Sequence, residues 1–325
     1  MIISNQMAPL PRRWNGGTGF RQRNPDSSME LTRAQFEILR YLEATHLKSP
    51  QAQIISWETG LEEPELQSAI EELTLQGAVR ENNITAQGRR ALEPFRVKRA
   101  VFIAAGFGSR MVPVTLNTPK PLVRVKGVRM IDTLLDAVYA AGIQDVTIVR
   151  GYLGEQFDQL LYKYPNLKFI ENPLYNEANN ISSAFFAREL LGNAYVLEAD
   201  LVLYNPKLIQ KYQYCSNYLG VPTPVTDDWC FEVDGDVINK VKVGGENCCH
   251  MYGISYWTQS DGERLAEHIE TAFKNPGGKE RYWDLVPLEF FRDSYHVEVR
   301  RCSFEDIIEI DTFRDLKALD STYRC

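Results

Sequence analysis

The alternation of apolar and polar positions falls into two regimes that meet near residue 98. In the first, Leu31, Phe36, Ile38, Leu39 and Leu42 recur at near-helical spacing, which predicts an amphipathic helix over 32–46. Ile54, Ile55 and Trp57 place a second, short helix that stops at Gly60. A third spans Glu62 to Gln76, with Pro64 in its first turn and Leu66, Ile70, Leu73 and Leu75 facing inward. Residues 78–85 then read as two short strands around an Asn82-Asn83 turn. After the junction Pro94 to Lys98, strands alternate with helices, the pattern of a largely parallel sheet. Strands are expected at 100–104, 145–149, 168–171 and 194–199, and helices at 129–141, 155–163 and 179–191. Antiparallel strands follow over 229–257, helices over 260–273 and 280–291, strands near 296–300 and 306–310, and a last helix from Thr312. The expected fold is α/β, a Rossmann-like domain with a mixed, mostly parallel sheet and a small N-terminal module.

Composition narrows the class. The chain has 325 residues, about two domains' worth, with 44% apolar and 24% charged positions. Thirty-six Lys and Arg against 43 Asp and Glu leave a formal charge of -7, which argues against broad nucleic-acid binding. No apolar run approaches the roughly 18 residues of a membrane span. Six cysteines without a C-x-x-C pair, and four histidines not spaced for zinc, suit reduced thiols in the cytoplasm. Residues 1–28 hold Arg12, Arg13, Arg21 and Arg23 with no apolar h-region, so they read as a disordered leader rather than a signal peptide.

The helix, helix, helix, hairpin order of residues 29–95 resembles a winged helix-turn-helix. A helix that enters the major groove carries basic and amide side chains. The third helix instead carries Glu62, Glu63, Glu65, Glu71 and Glu72 and no Lys or Arg. It would repel phosphates, so packing, dimerisation or regulation is the expected role.

Chemistry concentrates in the domain 98–325. Ala104-Ala105-Gly106-Phe107-Gly108-Ser109-Arg110 leaves a buried strand, and Thr118-Pro119-Lys120-Pro121-Leu122 follows. A glycine-rich turn lets backbone N–H groups approach phosphates closely. The run is neither a G-x-G-x-x-G fingerprint nor a Walker loop. A plain tight turn explains the two glycines alone, but Arg110 and Lys120 together suit a nucleoside triphosphate. Asp200 ends an apolar strand, and Glu309 and Asp311 flank Ile310 and share one face of a strand. Three such carboxylates suit Mg²⁺, the alternative being solvated strand ends. Trp229 follows two aspartates, and Tyr282-Trp283-Asp284 lies on an expected helix. Aromatic faces beside carboxylates suit a quaternary ammonium, the alternative being core packing. Asn179 and Asn180, with Ser182 and Ser183, open a helix and suit capping or an anion or base contact.

These motifs, with Gly151-Tyr152-Leu153, Glu155-Gln156-Phe157 and the run Tyr175 to Ser183, resemble the sugar-nucleotidyltransferase-like NTP transferases over about residues 98–322. Within them the likeness is to bacterial CTP:phosphocholine cytidylyltransferases. It implies CTP and phosphocholine as substrates, with Lys120, Arg110 and Asp200 catalytic and Mg²⁺ on Asp200, Asp311 and Glu309. It further implies a nucleotide site of Ala104, Ala105, Gly106, Gly108, Ser109, Arg110, Lys120, Asn172, Asn179 and Asn180. Trp229, Tyr282, Trp283 and Asp284 would hold the choline group. Rival acceptors are 2-aminoethylphosphonate and a sugar 1-phosphate, and the rival from another class is a ligand-sensing winged-helix regulator. A homo-oligomer is compatible with the sequence, and the N-terminal module departs from the family pattern.

Overall fold

The computed structural model describes residues 30–45 and 47–323, so the leader reading of residues 1–28 lies outside the described residues. The chain divides into two compact units at Arg96/Val97. Among the described residues no helix is long and apolar enough to cross a membrane.

The first unit is helical, with α1 (Arg33–Ala44), α2 (Ala52–Thr59) and α3 (Glu63–Leu75). Thr32 and Gln35 form a capping box at the start of α1, and Pro64 occupies the first turn of α3. Phe36, Leu39, Ile55, Leu66 and Leu73 are buried between them. Strands β1 (Val79–Arg80) and β2 (Asn83–Ile84) form the hairpin. Its two-residue turn is Glu81-Asn82, both at positive φ, rather than Asn82-Asn83, because Arg80 pairs with Asn83. A fourth helix, α4 (Ala86–Leu92), follows; its seven residues and internal Gly88 hid it from the periodicity.

The second unit is a three-layer α/β structure. Its strands and helices are β3 (Arg99–Ala104), β4 (Arg124–Val125), β5 (Val128–Arg129), α5 (Met130–Ala140), β6 (Asp145–Arg150), β7 (Lys168–Glu171) and α6 (Ile181–Ala187). Then come β8 (Ala194–Glu198), β9 (Leu201–Leu203), the long hairpin β10 (Asn217–Asp234) and β11 (Val237–Trp257), α7 (Gln259–Lys274), β12 (Glu298–Arg301), β13 (Ile307–Glu309) and α8 (Phe313–Leu319). The seven-stranded sheet runs β10-β12-β11-β8-β3-β6-β7, with β8, β3, β6 and β7 parallel and β11 antiparallel to β8. Alternate side chains of β3 feed two cores. Ala100, Phe102 and Ala104 pack with Ile131, Leu134 and Val138 of α5, whereas Val101 and Ile103 pack with α6 and α7. The chain leaves β3 toward β6 on one side and returns to β8 on the other, so a switch point opens at the carboxyl end of β3.

Two helices expected from sequence take other forms. Residues Gly154–Tyr162 make a 3₁₀ helix, and residues 280–291 contain only a short π turn, Val286–Phe290. The backbone of 279–283 bonds outward instead. The carbonyls of Lys279 and Glu280 accept from Asn179, and the Trp283 N–H donates to Asn180 Oδ1. Tyr282-Trp283-Asp284 therefore lies on a turn.

Candidate active site

At the switch point, a cavity of about 340 Å³ opens between the loop after β3, the start of α6 and the end of β8. The loop is shaped by Gly108, whose φ is +62° and whose Cβ, if present, would lie 2.9 Å from Lys120 Cβ. Thr115 Oγ1 donates to the Gly108 carbonyl at 2.8 Å, tying the loop to the segment that presents Lys120. Ala104, Ala105, Gly106, Gly108, Ser109 and Arg110 line one wall, with Lys120 beside them.

The opposite wall is acidic. Asp200 lies two residues past the end of β8, and Ile310 N–H donates to the Asp200 carbonyl, which brings Glu309 and Asp311 alongside. Carboxylate oxygens of Asp200, Glu309 and Asp311 lie within 4.8 Å of one another. Lys120 is 8% exposed, and its Nζ reaches Asp200 at 2.8 Å and Asp311 at 3.4 Å. Burial alone would lower the Lys120 pKa, but Asp200 and Asp311 outweigh it and hold the ammonium above its ordinary value. Arg110, 68% exposed, pairs with Asp311. Burial, followed by the charge of Asp200, pushes Glu309 up to about 8. Asp200 and Asp311 thus balance Arg110 and Lys120, and the protonated Glu309 adds a third hard oxygen donor beside them.

The amides do different work from capping. Neither Asn179 nor Asn180 caps α6 with its side chain through an N2 or N3 amide. Asn179 Oδ1 accepts from Asn180 N–H, and Asn180 Nδ2 donates to Glu198 Oε1 at 3.2 Å. Asn172, 2% exposed, donates to Ser182 and Ser183 and accepts from Leu174 N–H, so its polar atoms are engaged while it lines the cavity.

The four aromatic-region residues separate into two pairs. Trp229 is half-buried and meets the exposed Tyr282 edge-on, with ring centroids 5.8 Å apart and planes at 67°. Trp283 instead belongs to the core, stacked on Tyr218 and set edge-on to Trp257, with its Nε1 donating to Glu198 at 3.2 Å. Asp284 is also buried, accepts from the Tyr218 hydroxyl at 2.8 Å and is pushed up to about 6 by burial. The cavity lining does not include these four, though Tyr282 sits on the segment bonded to Asn179 and Asn180, which do line it.

Tyr175, quoted in the sequence only as part of a family-like run, and Glu198 line the cavity without having been given a role. Tyr175 packs with Phe107 of the glycine-rich loop, ring centroids 5.4 Å apart. Glu198 stands two residues before Asp200, and that spacing at an apolar strand's end was the signal that could have found it. Burial, then Asp284 and Asp200, raise the Glu198 pKa well above the carboxylate range.

Residues 100–222 match the MobA-like NTP transferase domain model. The chain is 36% identical to a 2-aminoethylphosphonate cytidylyltransferase of Lancefieldella rimae, over 69% of this chain and 92% of that protein. It is 31% identical to the choline-phosphate cytidylyltransferase of Streptococcus pneumoniae, over 68% and 96% of the two chains. The solved structure of CTP:phosphocholine cytidylyltransferase from Streptococcus pneumoniae superposes with a TM-score of 0.64 at 30% identity, covering 70% of this chain and 99% of that one.

Proposed function

The chain belongs to the MobA-like NTP transferase family, as one of its cytidylyltransferases, and on that footing we propose that it joins CTP to phosphocholine, giving CDP-choline and pyrophosphate. The observation that carries nucleotidyl transfer is the convergence of Arg110 and Lys120 with Asp200 and Asp311 on one glycine-lined cavity. An oxygen of the acceptor phosphate attacks the α-phosphorus of CTP, the α–β bridging P–O bond breaks, and pyrophosphate leaves. No protein nucleophile is needed, so the residues position the reactants and neutralise charge. Lys120, buried and held between carboxylates, is placed to neutralise the α-phosphate and acceptor oxygens. Arg110, long and exposed, can swing from Asp311 to the β- and γ-phosphates. The glycine-rich loop, with Ser109, offers backbone donors, and Asn172, Asn179 and Asn180 shape the nucleotide side.

Asp200, Asp311 and Glu309 fit a Mg²⁺ ion by donor type and by the closeness of their oxygens, all within 4.8 Å. Bound there, it would supply Lewis-acid neutralisation of phosphate oxygens.

The edge-on pair Trp229–Tyr282 supports phosphocholine, because two rings at a steep angle offer two faces to a trimethylammonium group. Asp228 is exposed beside Trp229 and lies within electrostatic reach of Glu309, which links this corner to the acidic wall. A second reading, 2-aminoethylphosphonate, is favoured by the Lancefieldella rimae relative and by the burial of Trp283, which leaves two rings instead of three. The N-terminal helical unit reads as a winged-helix-like module that does not bind DNA, since all five glutamates from Glu62 to Glu72 are exposed.

The test is a pyrophosphate-release panel that crosses CTP, UTP, GTP and ATP with phosphocholine, 2-aminoethylphosphonate and glucose 1-phosphate. Turnover with CTP and phosphocholine above all other pairs is expected. Preference for 2-aminoethylphosphonate would replace the acceptor, and preference for another nucleotide would overturn the cytidylyl reading.

A further inference from the structure

The cavity carries its ionisable groups at one end only. They are Arg110, Lys120, Glu198, Asp200 and Asp311, which stand at the end of β8 or pair with a carboxylate there. The sheet order β8-β3-β6-β7 puts the far end where β6 and β7 finish, roughly 14 Å away at the usual strand spacing. The loop after β7 lines that end with Asn172 and Tyr175 and brings no charge to it. Among the described residues Tyr175 is the only aromatic side chain in the lining.

Tyr175 is held from behind. A Cβ at Gly151, the residue after β6, would lie 2.6 Å from Tyr175 Cβ and 2.8 Å from its Cγ, so bare backbone packs against the root of the ring. The same Cβ would stand 3.0 Å from the Ala105 carbonyl oxygen, which accepts from Tyr152 N–H. Phe107 meets Tyr175 at 5.4 Å and Tyr152 at 4.8 Å between ring centroids, and the Tyr152 hydroxyl donates to the carbonyls of Thr115 and Leu116. The lining amides Asn172, Asn179 and Asn180 are spent on the protein, each donating through Nδ2 and accepting through Oδ1 within the fold. Among the described residues the Tyr175 hydroxyl makes no hydrogen bond, so apolar contact alone places the ring.

We propose that Tyr175 is the nucleoside contact of the site, its ring packing against the cytosine of CTP while the triphosphate lies at the charged end. The proposal rests on the cytidylyltransferase reading and deepens it. A base presents a flat apolar face, and neither the engaged amides nor the charged wall offers a surface to match it. A base stacked on an aromatic side chain gains about a factor of ten or more in affinity. Gly151 and Phe107 back the ring before any ligand arrives, so little freedom is lost when the base meets it. Tyr175 touches no reacting atom in this arrangement, so it acts on CTP binding and leaves the chemical step to Lys120, Arg110 and Asp200.

Calorimetric titration without acceptor tests this. CTP and tripolyphosphate, each with Mg²⁺, are titrated into wild type, Tyr175→Phe, Tyr175→Leu and Tyr175→Ala. Phenylalanine keeps the ring, so the Kd for CTP should stay within about threefold of wild type. Leucine keeps apolar bulk against Gly151 and Phe107 but has no aromatic face, and alanine removes both, so each should weaken CTP at least about tenfold. Tripolyphosphate, which has no nucleoside, should stay within about twofold in every variant, as should kcat at saturating CTP. Should the alanine variant melt far below wild type, the leucine and phenylalanine variants carry the test. Parallel losses for CTP and tripolyphosphate would make Tyr175 a brace for the glycine-rich loop through Phe107 and overturn the proposal. Unchanged CTP binding without the ring would overturn it too, and either result leaves the cytidylyltransferase reading standing. Wild type that binds another nucleoside triphosphate in preference to CTP would overturn that reading and the proposal with it.

Discussion

Exchanging Lys120 for methionine removes the buried cation of the cavity while keeping most of its stem. Its Nζ lies 2.8 Å from Asp200 and 3.4 Å from Asp311. At an effective dielectric of about 20, the attraction to Asp200 alone is about 6 kcal/mol before desolvation is subtracted. The net value is smaller, because burial acts on Lys120 in the opposite sense. Breaking a buried pair by deleting one partner costs about 3–5 kcal/mol, and the lower end applies here because water can reach the partly exposed Asp200. The catalytic loss is separate. A preorganised charge partner of the transition state is worth about 10²–10³ in rate, so kcat should fall by that factor. Neither Michaelis constant should move more than about threefold, because Lys120 acts chiefly on charge that develops during transfer. Pyrophosphate release, measured with each substrate saturating in turn, reads both quantities. Thermal melts give an independent check: with Asp200, Glu309 and Asp311 relieved of their ammonium, Mg²⁺ should raise the melting temperature more in the variant than in wild type. A variant with unchanged kcat and only a raised KM for CTP would refute the reasoning, leaving Lys120 as a ground-state phosphate contact.

Asp200→Asn should keep the fold and lower the rate at least about a hundredfold; near-normal Mg²⁺-dependent turnover would remove Asp200 from the metal set. Trp229→Ala should weaken phosphocholine use about tenfold or more, and phosphoethanolamine use less, with CTP unaffected; equal losses for both acceptors would mean a packing defect. The pH dependence of metal-free stability follows from the raised carboxyls. Glu309, moved from 4.5 to about 8, and Asp284, moved from 3.8 to about 6, hold protons in the folded state that the unfolded chain has released. Their contribution is complete below the unfolded values and is lost as pH rises through the folded ones, so the melting temperature should fall between about pH 4 and 8. Mg²⁺ favours the ionised carboxylates and should flatten that fall, and a metal-free melting temperature that rises toward pH 8 would contradict the assignment. Gly108→Ala should cost stability and rate together, since it places a Cβ against Lys120 at positive φ; wild-type turnover would show that the loop tolerates the shift.

What the sequence disclosed best was whatever depends on neighbours along the chain. The continuous apolar run Ala100 to Ala104 announced a buried strand, and the structure uses the alternate residues of β3 for two separate cores. Thr312, from which the sequence starts the last helix, is its N-cap and accepts from Asp315 N–H. The glycines, Arg110 and Lys120 could be singled out because a phosphate-binding turn is a local object. Asp200 and Asp311, 111 positions apart in the chain, could be paired only through the family resemblance added to their strand-end chemistry.

The misread segment shows where local reasoning ends. Residues 279–284 contain Tyr282, Trp283 and Asp284, with apolar residues after them at spacing that suits a helix. A helix would have taken up the carbonyls of Lys279 and Glu280 and the Trp283 N–H within its own turns. Asn179 and Asn180, about a hundred residues upstream, take those groups instead. Once the turn forms, consecutive side chains no longer share a helical face. Tyr282 goes to the surface beside Trp229, and Trp283 goes inward against Tyr218. The same bonds explain why Glu198 escaped notice. A glutamate at a strand end is ordinary in sequence, and it gains meaning only when Gly253 clears its path and Asn180 and Trp283 fix one of its oxygens. One long-range stitch therefore decides which ring reaches the surface, which ring builds the core, and which oxygen of Glu198 is held.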